Sequence, residues 1–244
     1  MKVAGAVRGV LPILDADWLD HLTVQSTTGG VPAPVDRDAL VDAIAHCLGR
    51  SSVTWVQLRC KGAVARCAPF AALWMAALRR HGPHLVVVIN DHVELAVSLA
   101  ADGVHVGQTD TPVAVCRQRL GPDKLIGLST HSLAEVEDAN RADVDYVGFG
   151  PLFATCTKPD AAAVQGVTRL AAVCRTARKP VVAIGGIQVA DLAQVATAGA
   201  TAAAMISGLW AAGQWQQRLA QAEQAWEQGS RRPPRLGHVR QEEV

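Results

Sequence analysis

The sequence predicts an α/β protein, a single (β/α)8 barrel, and three observations point there. Short, β-branched apolar runs alternate with longer segments carrying apolar residues at helical spacing, the pattern of parallel strands joined by crossover helices. Eight strand–helix pairs fit along the chain. The length, 244 residues, is close to the roughly 250 typical of one such barrel.

Taken in order, strands are expected near residues 9–14, 53–59, 85–90, 103–106, 125–129, 145–149, 180–185 and 202–206. The first is the apolar run Val10-Leu11-Pro12-Ile13-Leu14, closed by Asp15. The second, Val53 to Arg59, and the third, Leu85 to Asn90, are nearly continuous apolar runs that turn polar only at their carboxyl ends. Strands covered by helices outside and packed side chains inside read this way. Helices fit between them at 36–49, 66–81, 92–101, 112–120, 132–141, 166–177, 188–198 and 208–227, from periodicity and end signals. Residues 22–36, with Gly29-Gly30 and two prolines, predict a long loop after the first strand that could act as a lid. The barrel is expected to occupy 1–228. Residues 229–244 form a polar tail, with too little apolar content to pack, and are expected to be disordered.

Composition excludes several classes. Lys and Arg (23) nearly balance Asp and Glu (22), which gives no global electrostatic reason to expect nucleic acid or membrane as partner. The six cysteines, Cys47, Cys60, Cys67, Cys116, Cys156 and Cys174, never fall in a C-x-x-C pair, so neither a zinc knuckle nor a dithiol motif is written here. No run approaches the 18 or more apolar residues of a membrane span, and Arg8 falls where a signal peptide needs its apolar stretch. A cytoplasmic enzyme of small molecules is the expectation. The histidines form no zinc spacing, and no Gly-x-Ser-x-Gly elbow is present.

Barrel active sites lie at the carboxyl ends of the strands, so the polar residues closing each run are the candidates. The second strand ends Gln57-Leu58-Arg59-Cys60-Lys61, the third Asn90-Asp91; the fourth leads to Gly107-Gln108-Thr109-Asp110, and the fifth ends Ser129-Thr130-His131. Arg59 and Lys61 share one side of an extended segment, where two cations attract an anion such as diphosphate; either could instead be a solvated or ion-paired charge. Asp91 and Asp110 close adjacent strands, and magnesium commonly takes one or two carboxylates plus phosphate oxygens and water. Each could also be a helix N-cap. His105 either orients a substrate ring or satisfies a buried hydrogen bond.

The sixth strand supplies Gly148-Phe149-Gly150-Pro151-Leu152-Phe153-Ala154-Thr155-Cys156-Thr157-Lys158, where small residues admit close backbone approach and Thr-x-Thr-Lys offers hydroxyls and a cation for an anion. The seventh ends Ile184-Gly185-Gly186-Ile187 and the eighth Met205-Ile206-Ser207-Gly208 before a helix, matching the barrel phosphate site of loops seven and eight.

Together, Gln57-Leu58-Arg59-x-Lys61, Ile89-Asn90-Asp91, Gly103-Val104-His105-Val106-Gly107-Gln108-x-Asp110, Ser129-Thr130-His131, the Gly148 to Lys158 string and Ala183-Ile184-Gly185-Gly186-Ile187 resemble thiamine phosphate synthase over residues 53–210. The resemblance implies condensation of 4-amino-2-methyl-5-hydroxymethylpyrimidine diphosphate with 4-methyl-5-(2-phosphohydroxyethyl)thiazole to thiamine phosphate and diphosphate. Diphosphate leaves first, and the thiazole nitrogen captures the pyrimidine methylene cation. It further implies that Gln57, Arg59, Lys61, Asn90, Ser129 and Lys158 hold the pyrimidine diphosphate, with His105 near the pyrimidine, and that Asp91 and Asp110 hold one Mg2+ per subunit. Thr155 and Thr157 would meet the thiazole; Gly186, Ile206 and Ser207 would hold its phosphate. Cys60, Gly62 and Ala154 depart from the family's usual Glu, Asp and Pro, and the first strand lacks the family's usual Val-Thr-Asp ending. The alternatives are the related thiazole tautomerase and a non-catalytic thiamine phosphate-binding homologue.

Overall fold

In the computed structural model, residues 3–24, 27–28, 31–32, 36–155, 163–210 and 214–231 are described. Eight parallel strands close a barrel: β1 (Gly9–Asp15), β4 (Trp55–Arg59), β5 (Val86–Asn90), β6 (Gly103–Val106), β7 (Leu125–Thr130), β8 (Tyr146–Phe149), β9 (Val181–Ala183) and β10 (Ala202–Met205). β2 (Thr27–Thr28) and β3 (Val31–Pro32) make a small antiparallel pair outside it. The helices are α1 (Ala16–Val24), α2 (Arg37–Arg50), α3 (Val64–His81), α4 (Val93–Ser98), α5 (Val113–Leu120), α6 (Leu133–Arg141), α7 (Gly166–Thr176), α8 (Leu192–Thr197) and α9 (Trp215–Ser230). Among the described residues, no helix is long and apolar enough to cross a membrane.

Period-two alternation divides each strand between two cores. Val10, Leu14, Val56, Leu58, Val87, Ile89, Val104 and Ile126 pack outward against the helices. Their neighbours Leu11, Ile13, Trp55, Val86, Val88, Leu125, Tyr146, Val182, Ala202 and Ala204 fill the barrel. The same parity continues to the strand ends, so Gln57, Arg59, Asn90, His105 and Ser129 share the inward side of β4 to β7. A 3-10 turn at Val3–Ala6 lies at the opposite end, where Thr54 Oγ1 donates to the Ala6 carbonyl at 2.7 Å and Trp55 Nε1 to that of Arg8 at 3.1 Å.

The eight strands lie where the sequence places them, within about two residues at each end. Three connections differ. The chain after β1 is helical from Ala16, not a loop throughout, because Asp15 accepts from the Trp18 amide at 3.1 Å and Leu19 is buried. That cap is worth about 1 kcal/mol. Of the predicted loop at 22–36, residues 25–26, 29–30 and 33–35 lie outside the described residues. The last helix starts at Trp215 instead of 208, since Leu209 and Trp210 turn inward and the Trp210 indole donates to the Ile13 carbonyl at 2.7 Å. It then runs to Ser230, past the expected boundary at 228; Gly229 packs so closely on Ala193 that a β-carbon would collide with its backbone. The remainder of the predicted tail, 232–244, lies outside the described residues. Finally, the predicted 188–198 helix divides into a 3-10 turn at Val189–Asp191, closed by a Gln188–Asp191 capping box, and α8.

Candidate active site

A cleft enclosing about 1030 Å³, its open mouth included, lies at the carboxyl ends of the strands. Each predicted site residue among the described ones lines it: Gln57, Arg59, Lys61, Asn90, Asp91, His105, Asp110, Ser129, Thr155, Gly186, Ile206 and Ser207. Thr157 and Lys158 lie outside the described residues.

The acidic side is built by two neighbouring strand ends. Asp91 follows β5 with φ +62°, a left-handed conformation uncommon for a non-glycine residue. Its amide donates to the His105 carbonyl at 2.8 Å, which ties it to the next strand. Burial raises the Asp91 carboxyl above the usual carboxylate range; Lys61 acts against that, and Asp110 adds to it by charge and by a direct hydrogen bond. The two carboxyls are therefore neighbours in the cleft. Asp110 also accepts from the Gly107 amide at 2.7 Å, and only a glycine leaves that approach open.

Neither acid is a helix cap. The N-cap of α4 is His92 and that of α5 is Pro112, both without a side-chain capping bond. Two adjacent carboxylates with an outward opening suit a hard divalent cation completed by phosphate oxygens and water. Among the described residues there is no group of three or more His, Cys, Asp or Glu that could hold a metal ion.

Two cations face these acids. Lys61 Nζ pairs with Asp91, and Arg59 pairs with Asp15, whose side chain is 3% exposed. The loop between them is braced from α1: Arg66 pairs with Asp17 and donates to the Lys61 carbonyl at 2.6 Å. Cys60 and Cys67, also in this region, are buried free thiols, and Cys67 Sγ donates to the Cys60 carbonyl at 3.2 Å.

Deeper in the barrel the polar groups are linked. His105 Nε2 lies 2.8 Å from Ser129 Oγ and its Nδ1 lies 3.1 Å from the Tyr146 hydroxyl. Gln108 donates to the Ser129 carbonyl at 2.7 Å. The Asn90 side-chain amide nitrogen is buried with no hydrogen-bond partner among the described residues, and such a donor is costly unless a ligand meets it.

The opposite wall is backbone. Leu152 and Phe153 amides donate to the Ile184 and Gly185 carbonyls at 2.9 and 3.0 Å, stitching the loop after β8 to the loop after β9. Gly185 (φ +97°) and Gly186 (φ +68°) are left-handed, and a β-carbon on either would strike residues 151–154. Among the described residues, the amides of Gly186, Ser207 and Gly208 donate to no carbonyl. Ser207 and Gly208 lie in the turn after β10, where the Leu209 and Trp210 amides bond back to the Ile206 carbonyl. An open turn of amides, not a long helix, therefore forms this wall.

Sequence reading missed two residues. Asp15 was legible as the polar end of the first strand, on the pattern that revealed the other ends. Tyr146, the single tyrosine of the chain, begins its strand, and only counting parity back from Gly148 turns it inward.

The family model of thiamine monophosphate synthase matches residues 31–209. The thiamine-phosphate synthase of Chloroflexus aurantiacus is 48% identical over 160 residues, 65% of this chain and 73% of that protein. That of Myxococcus xanthus is 40% identical over 78% of this chain and 87% of its own length. The one from Parasynechococcus marenigrum is 42% identical over 70% of this chain, but over only 48% of its own length. Among solved structures, a thiamine phosphate pyrophosphorylase from Pyrococcus furiosus superposes with a TM-score of 0.73 at 24% identity, covering 93% of this chain and 99% of that one. At this identity the likeness shows the fold.

Proposed function

The chain belongs to the thiamine monophosphate synthase family, transferases of thiamine biosynthesis, and from that membership we propose how its barrel mouth performs the reaction. The pyrimidine diphosphate and the thiazole phosphate are its substrates, thiamine phosphate and diphosphate its products. The observation that carries this is the meeting of Asp91 and Asp110 opposite Lys61 and Arg59, beside the open amides of Gly186 and Ser207.

Asp91 and Asp110 would hold Mg2+, which when bound would supply positive charge to neutralise diphosphate oxygens. Arg59, Lys61 and Lys158 meet the remaining negative charge, and Ser129 and Asn90 donate hydrogen bonds to it. Lys61 exchanges its bond with Asp91 for the diphosphate as substrate enters. Gln57 and His105 orient the pyrimidine. The amides of Gly186 and Ser207, with Ile206, hold the thiazole phosphate, while Thr155 and Thr157 set the ring so that its nitrogen faces the methylene carbon. Positioning and charge stabilisation account for such a reaction without a covalent nucleophile. We assign the enzyme to the cytoplasm.

The relatives carry the synthase name, and the tautomerase alternative is not favoured. The test is formation of thiamine phosphate by the purified chain from both substrates across a magnesium titration. No product at any magnesium concentration would defeat the proposal.

A further inference from the structure

We propose that Tyr146 is a positioning residue: it heads a one-way hydrogen-bond relay, Tyr146 to His105 to Ser129, which commits the Ser129 hydroxyl proton to the departing diphosphate. The role of that last proton rests on the synthase reading above; the relay itself is a property of the free protein.

Tyr146 is fully buried, its ring edge-on to Trp55 at 5.3 Å and stacked on His105 at 5.4 Å. Gly127 makes the room, since a β-carbon there would collide with both the tyrosine and histidine rings. Burial, followed by the charge of Asp145, pushes the phenol far above its usual range, so it stays protonated. A buried hydroxyl is costly unless its proton finds an acceptor, and the hydrogen-bond geometry gives the phenol His105 Nδ1 as partner.

The remaining directions follow in turn. The phenol proton therefore goes to His105 Nδ1, at 3.1 Å. A ring that accepts at Nδ1 carries its proton on Nε2 when neutral. Nε2–H then donates to Ser129 Oγ at 2.8 Å. The serine hydroxyl, its oxygen already used as acceptor, has its own proton left to give. Each bond thus fixes the next, and one phenol hydroxyl sets the donor character of the Ser129 hydroxyl in the cleft.

The deciding measurement is long-range 15N–1H NMR of the imidazoles in the substrate-free wild-type protein at neutral pH, with His105 assigned by loss of its signals in His105→Gln. A neutral ring protonated at Nε2 is expected. Protonation at Nδ1, or at both nitrogens, overturns the relay whether or not the protein turns over. In kinetics, Tyr146→Phe keeps the ring and removes the hydroxyl; kcat should fall roughly three- to tenfold, the scale of one neutral hydrogen bond, with the KM for the pyrimidine diphosphate changed less than kcat. Ser129→Ala should then cost less in the Tyr146→Phe background than in wild type. Equal costs in both backgrounds would show that the two residues act separately and would sink the proposal.

Discussion

Asp15 and Arg59 lie directly opposite one another in the β1–β4 ladder, and their side chains form the most buried ion pair at the barrel mouth among the described residues. Arg59 is thereby held before any substrate arrives. The carboxylate serves twice, since it also caps α1 through the Trp18 amide. Asp15→Asn keeps the shape and removes the charge, leaving a guanidinium that is 13% exposed without its counter-ion. Breaking a buried pair from one side costs about 3 kcal/mol, and kcat/KM for the pyrimidine diphosphate should fall at least about tenfold as Arg59 loses its orientation. Denaturant unfolding and steady-state kinetics read the two effects. A variant with parental stability and kinetics would show that Arg59 keeps its place unaided.

A different balance is expected at the paired acids. Neither Asp91 nor Asp110 caps a helix, and each raises the cost of charging the other at this contact. Asp91→Asn should therefore leave the unfolding free energy within about 1 kcal/mol of the parent. The apparent magnesium constant should rise at least about tenfold and kcat fall roughly a hundredfold, since half of the carboxylate charge facing the diphosphate is gone. A magnesium titration of activity, set beside a thermal melt, separates these roles. Loss of stability in proportion to activity would return Asp91 to a structural part.

The features legible in the sequence were those set by local periodicity. The inward parity of Gln57, Arg59, Asn90, His105 and Ser129 follows from counting in twos along strands that end in polar residues, so most of the cleft could be read before any fold was known. What escaped depended on partners far along the chain. For Arg59 and Lys61 an ion pair was one of the open readings, but its partners, Asp15 and Asp91, were not legible; pairing of that kind is fixed by strand register, which composition does not carry. Residues 208–210 read as the start of the last helix because their apolar spacing suits one. Trp210 instead reaches back to Ile13, nearly two hundred residues earlier, and a contact at that separation overrides local propensity.

Gly186 tests the backbone wall. It adopts φ +68°, and a β-carbon would run into the Ala154 carbonyl and Phe153. Gly186→Ala meets both a left-handed conformation and a clash, each costing on the order of 1–2 kcal/mol. The easiest relief is displacement of the loop carrying Thr155 away from the open amides of Ser207 and Gly208. The expected result is a KM for the thiazole phosphate raised by roughly tenfold or more, with the KM for the pyrimidine diphosphate nearly unchanged. Equal increases for both substrates would mean that the two halves of the cleft are not separately built.

Cys60 lies between the two cations of the cleft, and its environment makes it inert. Burial first, and then the hydrogen bond with Cys67, push its thiol from 9.0 up to about 12. At pH 8 the reactive thiolate is thus about a thousandfold scarcer than for an ordinary thiol. Iodoacetamide applied to the native protein at pH 8 should spare Cys60 and Cys67 and modify both after denaturation, as peptide mass spectrometry would show. The same shift fixes a pH dependence. Because the folded-state value lies above the unfolded one, the unfolded chain releases this proton first as pH climbs past about 9, and stability falls from there until the folded thiol also ionises near 12. Cys60→Ala removes that contribution, so its unfolding free energy should decline less than the parent's between pH 9 and 11. Identical declines, or rapid native alkylation of Cys60 at pH 8, would show that this thiol is open to solvent and free to ionise beside Lys61.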